Sequence, residues 1–233
     1  MITTGQELYT LMGSLNGDAD LDITLAETLV ATAKSMIEEE RPWMVLRKTD
    51  TSLSVSTSDT WQTAKSIAGI TDFSSFHTEY PIRVFDGGNM ISYYQQTPFD
   101  RRLEHKDNSG TFTYDAANKN IYFNGIHAFN GTVYLNYLST SPDISLTSDA
   151  AVWTPFPARF LPLLAFYAVQ VHKGAVDYDD VNARMLEPHN QVYQALHDAM
   201  TKWDEKMALS ELEHNDPTNL YNIPRLGTVD RSA

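Results

Sequence analysis

Gly131-Thr132-Val133-Tyr134-Leu135-Asn136-Tyr137-Leu138 puts Val133, Leu135 and Tyr137 on one side of an extended chain and Thr132, Tyr134 and Asn136 on the other. A period of two, carried by β-branched and aromatic residues, predicts a half-buried strand. Further on the period changes. After Pro157, the residues Phe160, Leu161, Leu163, Leu164, Phe166, Tyr167, Val169 and Val171 are apolar almost all round a helix. Such a helix has to be covered, by its own domain or by a neighbouring subunit. The switch from strand period to helix period defines an α+β chain.

Working back from the strand, the region 44–146 keeps a sheet-like pattern. Leu53 and Val55 alternate with Ser and Thr, and Ile82/Val84 and Met90/Ser92/Tyr94 flank the hairpin-type turn Asp86-Gly87-Gly88-Asn89. Pro98–Lys106 reads as a short helix. Thr111–Tyr114 and Ile121–Phe123 form a second hairpin signal, and Asn124-Gly125 and Asn130-Gly131 are turn dipeptides. Upstream, Leu8, Leu11 and Met12 mark a short amphipathic helix ended by Gly13 and Asn16-Gly17. A second helix begins near Ile23 behind the acidic caps Asp20 and Asp22. Its expected apolar stripe is Leu25, Leu29, Ala33, Met36 and Ile37, and Pro42 stops it, with Trp43 folding back onto it. Downstream, Gly174 is the expected C-cap of the apolar helix. A longer helix over 178–212 carries a near-heptad seam of Val192, Leu196, Ala199, Trp203 and Met207, with Pro188 kinking or splitting it. Periodicity is lost from His214 to Ala233. The expected fold is therefore N- and C-terminal helices forming a helical bundle, a central antiparallel β insertion and an extended C-terminal arm. The corresponding domains are 1–43 with 150–213, 44–149, and 214–233.

Of 233 residues, 17 are Lys or Arg and 30 are Asp or Glu, a formal net charge of −13, and 42% are hydrophobic. A core can form, while the acidity argues against a nucleic-acid-binding domain, which needs clustered bases to meet phosphates. Cysteine is absent, which excludes disulfides, thiolate metal sites and a cysteine nucleophile. No apolar run is long enough to span a bilayer, and the first residues lack the pattern of a signal peptide, so a soluble protein made in the cytoplasm is expected. Acids concentrate in 16–40 (Asp18, Asp20, Asp22, Glu27, Glu38, Glu39, Glu40 against Lys34) and in 198–216 (Asp198, Asp204, Glu205, Glu211, Glu213, Asp216 against Lys202, Lys206). The last residues reverse this, with Arg225 and Arg231 against Asp230. A weakly basic segment carrying Leu220, Tyr221, Ile223, Pro224, Arg225 and Leu226 reads as a docking arm for a partner.

Asn16, Asp18, Asp20, Asp22, Thr24 and Glu27 fall close to the ligand spacing of a calcium loop, but Leu21 stands where such loops use glycine for their sharp turn. The favoured reading is a helix-opening turn with acidic caps, and no metal site is expected. His77, His105, His127, His172, His189, His197 and His214 show no zincin spacing and read as structural. Asp179/Asp180 and Glu38/Glu39/Glu40 read as solvated faces. No nucleophile elbow, phosphate loop or dinucleotide fingerprint is present, so neither a catalytic constellation nor a cofactor is expected.

In order, the chain has a short helix, then a helix ending in Glu39-Glu40-Arg41-Pro42-Trp43, then Leu46 and the strand Thr49–Thr57. Next come Phe112-Thr113-Tyr114-Asp115, Asn120–Gly125 and Gly131–Tyr137, and finally Thr154-Pro155-Phe156-Pro157, the apolar helix and Tyr193-Gln194-Ala195-Leu196. This layout, over about 4–212, resembles the head-to-tail adaptor (connector) proteins of tailed bacteriophages. Segment 58–80 departs from the family pattern, with Ile70-Thr71-Asp72-Phe73 where a Leu-Pro-x-Asp/Asn-Phe stretch is usual. The resemblance implies a structural virion protein at the head–tail interface. It implies a homo-oligomeric ring of about twelve copies under the portal protein, docking of tail nozzle and tail fibre proteins, and an acid-lined passage through which DNA slides without specific binding. It also implies that a terminal arm grips the portal. The alternative reading makes the aromatic-rich β region a carbohydrate-recognising or tail-fibre attachment module.

Overall fold

The computed structural model describes residues 2–17, 21–78, 80–125, 127–176 and 180–214, with the side chains of all of these except 174–189 and 210–214. Its helices are α1 (Gly5–Asn16), α2 (Ile23–Glu40), α3 (Arg102–His105), α4 (Pro162–Val176) and α5 (Asp180–His214). Its strands are β1 (Arg47–Asp50), β2 (Ser54–Val55), β3 (Ala64–Ser66), β4 (Phe73–Phe76), β5 (Ile82–Asp86), β6 (Asn89–Thr97), β7 (Thr111–Asp115), β8 (Asn120–Phe123) and β9 (Gly131–Ser139). The chain divides into two compact units, Met1–Leu46 with Thr140–Ser210, and Arg47–Ser139.

In the helical unit α1 opens on a capping box. The Thr4 hydroxyl accepts the Glu7 N–H, and the Glu7 carboxylate accepts the N–H of Thr4. These bonds, with that of the Thr3 N–H, hold the Glu7 carboxyl below its usual range. Gly13 does not end the helix; it is buried inside it, and Gly17 terminates α1 at a φ of 74° that favours glycine. Asp22 caps α2 by accepting the Leu25 N–H at 2.9 Å. The buried face of α2 is Ala26, Leu29, Val30, Ala33, Lys34, Ile37 and Glu38. Leu25 and Met36, expected in the stripe, are 38% and 51% exposed. The inward face is rotated from the expected one because two charged residues lie inside it, which a purely apolar count passes over.

A 3-10 turn over Ala158–Phe160 leads into α4, which runs through Gly174 rather than ending there. Leu163, Leu164, Ala165, Ala168 and Val169 are buried in the unit's own core together with Leu8 and Met12 of α1 and Val30 and Ile37 of α2. The apolar helix is thus covered by its own chain over most of its face, with Phe166, Tyr167 and Val171 left half-buried. Helix α5 is continuous through Pro188. Among its described side chains Met200 and Asp204 are buried and Tyr193, Leu196, Trp203 and Met207 partly buried, whereas Val192 and Ala199 of the expected seam face solvent. Here too a buried acid shifts the face from the one an apolar count selects.

The second unit is a mixed sheet, a half-barrel, in the order β1-β9-β5-β6-β7-β8-β3, with β2 and β4 also on β9. The decisive strand, β9, is the hub. One edge pairs with β1 and β2, the other with β4 and β5, all antiparallel. Val133, Leu135 and Tyr137 face the core, as the alternation requires. The sheet is not purely antiparallel. β6 pairs antiparallel with β5 through Tyr94 and then parallel with β7 through Gln95–Thr97. The long excursion through α3 carries the chain back to start β7 in the same direction as β6, which a hairpin could not do. Gly131 is a strand residue. A Cβ there would lie 2.5 Å from Val84 Cγ1 and 2.9 Å from the Phe85 carbonyl, so glycine lets β5 approach β9.

Candidate functional site

The Glu-Glu-Arg-Pro-Trp stretch at the end of α2 joins several segments of the helical unit. Trp43 is fully buried, and its indole N–H donates to the Ile37 carbonyl at 2.6 Å, closing the chain back over the helix that precedes it. Phe156 meets the ring edge-on at 5.8 Å, and the Arg41 guanidinium lies over it at 5.0 Å. Arg41 then reaches α5, pairing with Asp204 at 3.5 Å and Glu205 at 3.8 Å. Buried Asp204 also accepts the Met44 N–H at 2.7 Å. One acid of α5 thus holds the turn after α2 through a backbone donor and a guanidinium, the combination that makes a buried carboxylate tolerable.

A second polar tie lies one turn earlier. Glu38 does not face solvent with Glu39 and Glu40. It is buried and accepts the Ser141 N–H at 3.2 Å, the Ser141 hydroxyl and the Trp153 indole N–H at 3.0 Å, with Lys34 at 3.8 Å. Trp153 is held at φ +57°, a conformation costly for a large side chain. Its bond to Glu38 and its stacking on Phe156 at 4.5 Å fix it there.

Between α2, α4 and α5 opens a cleft of about 410 Å³ lined by Met36, Ile37, Glu39, Glu40, Tyr167 and Tyr193. Tyr167 and Tyr193 sit with ring centres 5.4 Å apart, and Tyr193 stacks on His197, whose Nε2 is 2.8 Å from Glu40. Burial, then the Glu40 carboxylate and Tyr167, push the Tyr193 hydroxyl up to about 12.

In the β unit the aromatics mostly pack on one another. Phe73, Phe76, Phe112, Tyr114 and Tyr137 form one cluster, and Tyr94, Phe123, His127 and Phe129 another. The Arg102 guanidinium lies 3.6 Å from the Tyr122 ring centre and 5.1 Å from that of Trp61, and donates to the Trp61 carbonyl at 2.7 Å. These rings pack in the fold, as strand aromatics commonly do. Ile91, Tyr93, Phe99 and Leu103 remain exposed.

The predicted arm residues Leu220, Tyr221, Ile223, Pro224, Arg225 and Leu226 lie outside the described residues, as do Asp18 and Asp20 of the calcium-like spacing. Of the other members, Asn16 closes α1, Asp22 is a cap, Thr24 stands in the first turn of α2 and Glu27 accepts the Leu146 N–H at 3.3 Å. No metal-holding cluster of His, Asp and Glu occurs among the described residues. Asp179, and the side chains of Asp180, His189 and His214, also fall outside them. His105 contacts Asn108, His127 contacts Tyr94 and His197 contacts Glu40. The buried acids Glu38 and Asp204 were missed. The only signal for them was their place among buried apolar neighbours at helical spacing.

In the helical unit the buried acids Glu38 and Asp204 join chain segments to one another, and in the β unit the hub strand does so. The chain belongs to the SU10 adaptor protein family, whose model it matches over residues 4–212. Membership makes it a tailed-phage head-to-tail adaptor in its general role. No curated protein matches the chain. None of the described helices is long and apolar enough to cross a membrane.

Proposed function

We propose that this protein forms a ring of about twelve copies beneath the portal at the head–tail interface of the virion. It carries tail nozzle or fibre proteins on its β unit and lets DNA through the ring. The observation that carries this reading is the surface of α5. Val192 is 43% and Leu209 60% exposed, while Leu163, Leu164, Ala165, Ala168 and Val169 of α4 are buried within the chain. Apolar residues left on a helix of an otherwise well-packed unit suit contact with a neighbouring copy. The exposed acids Asp22, Glu39, Asp198 and Glu205 suit a wall that repels phosphate. Ile91, Tyr93 and Leu103 are the proposed tail-docking surface.

Electron microscopy of the purified protein mixed with portal tests the assembly. A closed ring on the portal is expected; single copies at every concentration refute it. The domain division at 1–43 with 150–213, 44–149 and 214–233 adds a second test. Removal of 214–233 is expected to leave a folded protein that no longer binds portal. Undiminished binding would remove Leu220–Leu226 as the portal grip.

A further inference from the structure

We propose that Arg159 of one copy enters the cleft between α2, α4 and α5 of the next copy, its guanidinium against the tyrosines there and paired with Glu39. This rests on the ring reading above and deepens it by naming a contact between copies. The cleft has an apolar floor and an acidic lip. Met36 is exposed there, Tyr167 donates its hydroxyl to the Met36 sulfur at 3.1 Å, and the Tyr167 and Tyr193 ring centres lie 5.4 Å apart. Glu40 is engaged by His197, whereas exposed Glu39 has no ion pair among the described residues. Aromatic rings beside an uncompensated carboxylate favour a planar cation that stacks and forks, a guanidinium over an ammonium.

The described bases of the helical unit narrow the source. Lys34 is buried against Glu38, Arg41 is held by Asp204 and Glu205, and Lys173 donates to the Leu15 carbonyl at 3.3 Å. Lys202 and Lys206 are exposed, but they are ammonium groups on α5 itself. Arg159 is exposed, has no carboxylate partner among the described residues, and holds its guanidinium 4.8 Å from the Phe160 ring centre. Its own cleft is far from it. Phe160 packs on Trp203 at 5.6 Å, and Trp203 stands about 15 Å along α5 from Tyr193. The pair therefore joins two different patches, and a head-to-tail contact of that kind is what a closed ring requires. Val192, beside Tyr193, belongs to the exposed α5 surface already assigned to the neighbouring copy, so the cleft continues that surface. Neutralising Glu39 at the seam leaves Asp22, Asp198 and Glu205 for the wall that faces DNA.

Charge reversal tests the pair in full-length protein mixed with portal and viewed by electron microscopy. Glu39→Arg alone and Arg159→Glu alone should each lower the fraction of portals carrying a closed ring by about tenfold or more. A one-to-one mixture of the two variants should restore it to within about twofold of wild type, because alternating copies then meet opposite charges at every seam. Both positions are exposed, so urea midpoints should stay unchanged. If either reversal lowers the midpoint, Glu39→Gln and Arg159→Gln replace the pair, each with an expected loss of about threefold or more. Rings formed by both reversed variants, or lost in both and not restored by mixing, would overturn the proposal. Loss in only one of the two would mean that the surviving group has another partner, and would overturn the pairing. Wild-type protein that leaves portal bare refutes the ring reading itself, and this contact with it, so the two failures are read from different samples.

Discussion

The two units hold themselves together by different physics. In the helical unit, residues far apart in sequence are joined by buried charge: Glu38 to Ser141 and Trp153, and Asp204 to Met44 and Arg41. In the β unit the long-range contacts are a strand ladder and aromatic clusters; its Lys48–Asp72 pair is half open to solvent, and its more sheltered Lys65–Asp59 pair joins residues close in sequence. Backbone pairing with alternating side chains needs no buried ion, because register itself brings the apolar faces together. Helices lack that register. A charged tie with several donors specifies one rotation and one neighbour, at the risk of a large loss if any member is removed.

This contrast can be broken at its largest interaction first. Trp43→Ala removes a fully buried indole, its bond to the Ile37 carbonyl and the surface on which Arg41 lies. A loss of about 3–5 kcal/mol is expected. Hydrogen exchange should show it in α2, α4 and the turn after α2, with the β9 amides left protected. Equal loss of protection in β9 would mean that the units are one cooperative body.

A matched pair of substitutions sharpens the comparison at a smaller scale. Glu38→Ala strands the Lys34 ammonium, the Ser141 donors and the Trp153 indole in a buried place and should cost about 3 kcal/mol. Lys48→Ala removes the more exposed partner of the β-unit pair and should cost under about 1 kcal/mol. Urea unfolding of both variants gives the ratio. Similar losses would show that burial is not what separates the two units' ion pairs.

The sequence made the β unit more legible than the helical one, for the same physical reason. Asp86-Gly87-Gly88-Asn89 and the alternation in Thr132–Leu138 are local signals, and each placed its strands. The parallel step from β6 to β7 was not local. It depends on where the chain returns after α3, so an antiparallel sheet was the natural expectation. In the helices, Asp22 as a cap and Trp43 folding back were readable, because both act within a few residues. Glu38 sits in a run of three acids and looks solvated until Ser141 and Trp153 arrive from another part of the chain. Val192 and Ala199 were placed inward by spacing alone, but buried Asp204 turns α5 so that Met200 takes the inner position.

The smallest expected effect is a pH dependence confined to the β unit. His127 is buried, its Nδ1 is 2.9 Å from the Tyr94 hydroxyl, and Phe123 and Phe129 pack around the ring. Burial, the largest influence, disfavours the imidazolium; the Asp59 carboxylate opposes this and the Lys65 ammonium adds to it, and the result is a pKa below the usual histidine value. The unfolded chain then binds a proton at about pH 6.5 that the folded unit refuses. Stability from this group is complete above that pH and is lost as the pH falls from there toward the depressed folded value. Asp59 and Asp72 act lower on the scale. Each is raised by burial but lowered more by its lysine and hydrogen bonds, so their contribution fades only as the pH drops below the ordinary carboxylate range. Urea midpoints followed from pH 8 to pH 5 should fall in the wild type, and the fall should be reduced in His127→Gln. If both proteins lose stability equally across that interval, the titrating group is not His127 and the β unit has no buried charge switch of its own.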